Sequence, residues 1–396
     1  MKITKVEVFR LPTANSKQNS PIGCRVHTDT GLYGDGEAGM AYGIGGDAAY
    51  SMVVDLAQLI IGMDPLQTEL IWETMYKKTF WGQNGGPVIF SGIAAIDVAL
   101  WDIKGKYFEV PVYQLLGGKV RNKLRTYASQ LQFGWGMVGE SENLWAVKPE
   151  DYAHNVKLAV EEGYDAIKID FFDRDEEGKP LSFLDTTGFL TPKQLKMVEA
   201  RMSAAREAAG DEVDIIMENH SYPDALGAVQ LGKLAEKYHI LAFEEPNTPS
   251  TQTVEYITKY TSVPIANGER LFSRWQYAEY FKKNLLQLAQ PDIGNCGGIS
   301  EVKKIADMAH AFDVGIQVHT AGSPLTTDVA IQLECTLPNF IIHEHHVCNR
   351  SDTSLGLTKY NRQPENGYFE IPDLPGIGNE FLQTAIDNAV LYKVVE

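Results

Sequence analysis

The chain has 396 residues, of which 44% are hydrophobic and 22% charged, and its formal net charge is −17. That balance fits a globular protein with room for two domains or for one large α/β barrel with an appendage, and it gives no compositional case for disorder. The negative charge, with no local basic patch to offset it, excludes nucleic acid and anionic membrane surfaces as expected partners.

Residues 1 to about 40 read as an antiparallel sheet, VEVFRL followed by CRVHTDTGLYGDGEA, with Asp29, Thr30 and Gly31 supplying the turn. AAYSMVVDLAQLIIG and SGIAAIDVALWDIKGKYF carry apolar residues at helical spacing, and Gly62 and Gly105 are expected to interrupt or end these helices. WGQNGGP, near residues 81 to 87, and TANSKQNSPIG, near 13 to 23, read as loops that close over something.

From about residue 123 the pattern becomes a repeat of apolar strand, polar strand end and amphipathic helix. KLRTYAS, YDAIKID, VDIIMENH, HILAFEEP, SVPIANGE, LLQLAQPD, VGIQVHT and FIIHEHH make eight strands, with helices such as LKMVEARMSAAREAAG and ISEVKKIADMAHAF between them. Eight such units predict an α/β fold of the (β/α)8 barrel type. The expected division is an α+β capping domain over 1–122, the barrel over 123–360, and a C-terminal segment over 361–396, containing NGYFEIPDLPGIG, that packs back on the capping domain. Cys24, Cys296, Cys335 and Cys348 are scattered, without CxxC or zinc-ligand spacing, and read as thiols of a reducing compartment, so a cytoplasmic location is expected. MKITKVEVFRLP alternates like a strand rather than a signal peptide, and no run approaches the roughly 18 apolar residues of a membrane span.

In such a barrel, polar residues at the carboxyl ends of strands converge although they are distant in sequence. Glu218, Glu244 and Glu269 end three successive strands at intervals of 26 and 25 residues, one βα unit each. Three carboxylates crowded together call for a cation, and an all-oxygen set favours magnesium. Glu245 reads as the bystander in FEEP. Asp292 and His319 end the next two strands, 27 residues apart, as a carboxylate and imidazole suited to a general base. Glu344 ends the eighth strand and could exchange a proton with a substrate oxygen. His220, two residues after Glu218, would share its face of an extended strand and is a candidate general acid. Lys168, Asp170 and Arg270 complete the set as substrate-binding candidates, although an ion pair with a neighbouring carboxylate explains Lys168 equally well.

These residues resemble the enolase superfamily and, within it, the mandelate-racemase-like acid-sugar dehydratases. SGIAAIDVALWDIKGKYFEVPVYQLLGG and NGYFEIPDLPGIG carry the resemblance at the two ends, and VPIANGERLFSRW and QPDIGNCGGISEVKKIA are similar to galactonate dehydratases. The loop FFDRDEEGKPLSFLDTTGFL lies where mannonate dehydratases are thought to draw on a residue. The resemblance implies Glu218, Glu244 and Glu269 as Mg2+ ligands, His319 oriented by Asp292 as base, His220 as acid, and Glu344 hydrogen-bonded to carboxylate or enolate oxygens of a sugar acid. It also implies a homo-oligomer, from dimer to octamer. Glu218 stands where the galactonate enzymes usually carry Asp, and Lys168-Ile169-Asp170 replaces the Lys-x-Lys of the racemases, which favours single-base elimination over two-base racemisation. The expected activity is dehydration of an aldonate or aldarate to a 2-keto-3-deoxy acid. Two alternatives are an epimerase or lactone cycloisomerase, and a non-catalytic paralogue that binds a sugar acid.

Overall fold

The computed structural model describes residues 1–12, 20–41, 43–135 and 145–396. Residues 13–19 of the first expected covering loop lie outside the described residues.

Strands β1 (Ile3–Arg10), β2 (Ile22–Thr28) and β3 (Tyr33–Ala38) form an antiparallel meander. The turn between the last two uses Gly31 at φ +84°, as Asp29-Thr30-Gly31 predicts. Helices α1 (Gly46–Ile60), α2 (Thr68–Lys78) and α3 (Pro87–Phe108) cover this sheet. Gly34 and Gly36 let β3 lie directly on α3, since a Cβ on either would fall about 2 Å from the carbonyl oxygen of Ala99 or Ala95. Gly62, at φ +81°, follows the end of α1 as expected. Gly105 does not end α3, which runs on to Phe108. Its missing side chain instead admits the backbone of Gly376, where a Cβ would stand 2.6 Å from the Gly376 Cα.

Eight parallel strands follow: β4 (Lys123–Ser129), β5 (Ala166–Asp170), β6 (Asp214–Glu218), β7 (Ala242–Glu244), β8 (Ile265–Asn267), β9 (Leu288–Ala289), β10 (Gly315–Ile316) and β11 (His343–His346). They pair in sequence order, β11 pairs with β4, and a bridge between Ile316 and Phe340 joins β10 to the approach of β11, so the sheet returns on itself as a (β/α)8 barrel. The hydrogen-bonded part of each later strand is shorter than its apolar run in the sequence. Glu269, Asp292 and His319 therefore lie just beyond β8, β9 and β10, with Asp292 and His319 joined by their own bridge. The main apolar cluster sits between the strands and the surrounding helices, and a second fills the space between the N-terminal sheet and α1–α3.

The C-terminal segment divides its contacts. Strand β12 (Tyr368–Glu370) pairs antiparallel with β4 of the barrel, contrary to the expectation that NGYFE packs on the N-terminal region. Strand β13 (Leu391–Val395) extends the N-terminal sheet alongside β1. Among the described residues no helix is long and apolar enough to cross a membrane.

The N-terminal region is bonded to the barrel at the carboxyl ends of its strands. Gly39 N–H donates to the Gly294 carbonyl at 2.6 Å, and the Trp72 indole donates to the Gly297 carbonyl at 2.9 Å. Asp97 on α3 accepts from the Ser300 N–H at 2.9 Å and hydroxyl at 2.6 Å, at the start of helix Gly298–His310. Glu37 on β3 accepts from the Ser323 N–H and the Thr326 hydroxyl, both at 2.9 Å, and binds the Ser323 hydroxyl. These carboxylates satisfy amide groups at helix N-termini and fix one side of the barrel mouth.

Candidate active site

Strands β6, β7 and β8 are neighbours, and they bring Glu218, Glu244 and Glu269 together: one oxygen from each lies within 4.8 Å of the others. Glu218 and Glu244 are buried, and Glu218 Oε1 has no hydrogen-bond partner of ordinary geometry. An all-oxygen set of this kind, with a buried oxygen left free, fits a hard divalent cation.

Lys168 explains how the carboxylates coexist. Its ammonium is fully buried, 2.6 Å from Glu244, 2.9 Å from Glu344 and 3.6 Å from Glu218. Burial alone works to lower its pKa, but Glu218, Glu244 and Glu344 outweigh burial and hold it well above the usual lysine range. Of the two sequence readings of Lys168, the ion-pair reading describes this geometry. Gln130 donates to Glu218 at 2.7 Å and Gln290 to Glu244 at 2.5 Å, orienting both carboxylates. Sequence reasoning missed these two glutamines. Polar residues directly after apolar strands, as in YASQ and LAQ, were the signal.

His319 sits at one flank of the carboxylates. Its Nδ1 is 2.6 Å from Asp292 Oδ2, and its Nε2 is 3.0 Å from Glu269 and 4.0 Å from Glu344. The Asp292 carboxylate also accepts from the Gly294 N–H at 2.7 Å and the Asn295 N–H at 3.0 Å, so it is anchored independently of the ring. Burial would lower the imidazole pKa, but Glu269, Glu344 and Asp292 raise it well above the ordinary histidine value.

His220 sits at the other flank, for a different reason from the one its spacing predicts. Strand β6 ends at Glu218, and His220 and Ser221 adopt left-handed backbone at φ +45° and +62°. This turn, rather than strand alternation, sets His220 Nε2 3.2 Å from Glu218 and Nδ1 3.0 Å from Asp170. Burial opposes protonation, but Glu218 and Asp170 push the ring up to about 9. Asp170 is therefore joined to His220 and to the Phe172 N–H at 2.8 Å, rather than standing free for a substrate.

Glu344 is buried, accepting from the Ser129 hydroxyl at 2.6 Å and the Thr320 N–H at 2.9 Å. Burial opposes its ionisation, but Lys168 and His319 hold the carboxyl well below the usual range. Its neighbours in HEHH turn away from it: His343 bonds Glu334 at 2.6 Å, and His345 meets the Tyr164 hydroxyl at 2.7 Å. Arg270 departs from expectation. Its guanidinium is engaged by Glu245 and Glu269, so Glu245 is a buried, paired carboxylate and not a solvated bystander. The WGQNGGP loop touches the segment after β8, where the Ser273 hydroxyl donates to Asn84 at 3.3 Å.

Two family models match the chain: the N-terminal domain of mandelate racemase and muconate lactonizing enzyme over residues 4–117, and the enolase C-terminal domain-like family over 151–385. A D-galactonate dehydratase from Ralstonia pickettii is 33% identical over 387 residues, covering 96% of this chain and 91% of that protein. A solved member of the enolase superfamily from Salmonella Typhimurium is 43% identical, with a TM-score of 0.95 and full coverage of both chains. The 3,6-anhydro-D-galactonate cycloisomerase from Zobellia galactanivorans is 26% identical, with a TM-score of 0.80, covering 98% of this chain and 99% of that one. The chain belongs to the mandelate racemase and muconate lactonizing enzyme family of the enolase superfamily.

Proposed function

We propose that this hydro-lyase dehydrates a sugar acid, an aldonate or aldarate, to a 2-keto-3-deoxy acid with Mg2+ as cofactor. The observation that carries the reading is the placement of two carboxylate-held imidazoles at the outer members of the Glu218, Glu244 and Glu269 set, His220 beside Glu218 and His319 beside Glu269.

Glu218, Glu244 and Glu269 would hold the cation. The chemistry supplied by a magnesium ion there is charge: it offsets the carboxylates that raise the two imidazoles and polarises the acid group of the substrate. His319 then takes the α-proton on Nε2, while Asp292 keeps Nδ1–H in place and stabilises the imidazolium. His220, held by Asp170, gives its Nε2 proton to the departing β-hydroxyl, so water leaves rather than hydroxide. Lys168 and the Thr320 N–H keep Glu344 ionised and fixed at the same mouth, in reach of substrate oxygens.

The likeness to a cycloisomerase favours one second reading, the same proton abstraction followed by ring opening or reprotonation without loss of water. Incubation of the magnesium-loaded protein with a library of aldonic and aldaric acids, with semicarbazide detection of 2-keto-3-deoxy products, tests the proposal. A hit supports dehydration, and silence across the library contradicts it.

A further inference from the structure

The segment after β5 contains a buried carboxylate that the chemistry above does not use. Both oxygens of Asp173 are buried without a hydrogen-bond partner among the described residues. Arg174 Nε lies 3.7 Å away, close enough to offset charge and too far to satisfy either oxygen. An unpaired buried acceptor is costly and calls for an account.

The backbone around Asp173 is held with unusual economy. Arg201, fully buried, donates to the carbonyls of Val147 at 3.0 Å, Phe171 at 3.0 Å, Arg174 at 2.9 Å and Asp175 at 3.0 Å. Leu181 N–H donates to the Asp173 carbonyl at 3.0 Å. The chain is thus clamped on both sides of Asp173, and the side chain is left as the free group of a rigid segment. That segment is at the active end of the barrel, three residues beyond Asp170, and the charges of Asp170 and His220 both act on the Asp173 carboxyl. Tyr152, 1% exposed, has a hydroxyl without a hydrogen-bond partner in the field of the same carboxylate, and the Asn219 and Ser221 side-chain oxygens beside His220 are also unpartnered.

We propose that Asp173 is a specificity-determining residue that receives two hydroxyl groups from the distal, uncharged end of the substrate, selecting a monocarboxylic over a dicarboxylic sugar acid. This rests on the sugar-acid reading above and narrows it. A carboxylate with both oxygens free is satisfied by two O–H donors, which a vicinal diol supplies on adjacent carbons. A second substrate carboxylate brings no proton and adds like-charge repulsion in a buried setting. Such a site leaves the carboxylate unsatisfied until substrate binds, a function retained at the expense of stability.

The test compares wild type with Asp173→Asn and Asp173→Ala, all loaded with Mg2+, on six-carbon aldonates and the aldarates of matching configuration. kcat and KM are measured by keto-acid formation and binding of each acid by calorimetry. Wild type is expected to favour the aldonate at least tenfold, and Asp173→Asn to raise its KM about tenfold with a smaller change in kcat and to improve the aldarate. Thermal melting without substrate is expected to rise in Asp173→Asn, whereas a structural carboxylate would give a fall. Unchanged KM and selectivity in both variants, wild-type preference for the aldarate, or no binding of either class overturns the proposal. If wild type binds the aldonate through Asp173 but turns over no acid, this inference stands and the dehydratase reading fails.

Discussion

The imidazole of His319 and the carboxylate of Asp292, 27 residues apart in sequence, meet at 2.6 Å at the ends of adjacent strands. The second nitrogen of the ring points back to Glu269 at 3.0 Å. One side chain is thereby tied both to an orienting acid and to the carboxylate set proposed to hold the cation. His319→Asn keeps size and polarity but cannot take up a proton, and is expected to lower kcat by about 10²- to 10⁴-fold with little change in fold stability. Steady-state keto-acid formation, with melting temperature as the control, checks this.

His220 occupies the corresponding place at the other flank, and its loss should separate the two halves of the reaction. In His220→Asn, exchange of the α-proton with deuterated solvent is expected to continue while keto-acid formation falls at least a hundredfold. NMR of substrate recovered from deuterated buffer reads the exchange. Loss of exchange and elimination in parallel would remove His220 from the leaving-group role.

Lys168 is the cation among three buried carboxylates. Removing it in Lys168→Met leaves uncompensated negative charge, with an expected destabilisation of about 3–5 kcal/mol. The loss should be larger at pH 8 than at pH 5, where the carboxylates can take up protons, and added Mg2+ should recover part of it. Urea unfolding at both pH values, with and without the metal, measures this.

A second pH effect comes from His345, enclosed by Trp135, Tyr164 and Phe369. Burial, and then the positive charge of Arg350, holds its imidazole well below the ordinary histidine range, so it is neutral in the fold. The unfolded chain takes up a proton there near pH 6.5, about the unperturbed value, and so binds more protons than the native state below that pH. The contribution of His345 to stability is therefore present above about pH 6.5 and is lost as pH falls. His345→Phe is expected to flatten the stability profile between about pH 5 and 7, measured by thermal unfolding.

Gly105→Ala offers a structural contrast. The added methyl would approach the Gly376 Cα at 2.6 Å, between α3 and the C-terminal segment. Overpacking there is expected to cost about 1–3 kcal/mol without altering KM, as denaturation and kinetics together would register.

Much of the barrel was legible because an apolar strand followed by an amphipathic helix leaves a strong periodic signal, and because Glu218, Glu244 and Glu269 recur at one βα interval. What was not legible depended on local backbone and on partners far along the chain. The spacing of His220 from Glu218 implied a shared strand face, yet a left-handed turn sets the contact. The pairing of Asp170 with His220 spans 50 residues, and the engagement of Arg270 by Glu245 depends on which way each side chain leaves its strand end. Gly105 looked like a helix stop because the chain it makes room for, at Gly376, lies far away in the tail. Single-residue propensity carries no information about such contacts.

The most direct measurement is the product mass from the magnesium-loaded wild type and His319→Asn, run side by side on an accepted sugar acid. The account predicts a wild-type product lighter than the substrate by one water, carrying a keto group at carbon 2, and almost none from the variant. A product of unchanged mass, or equal dehydration by both proteins, would contradict it.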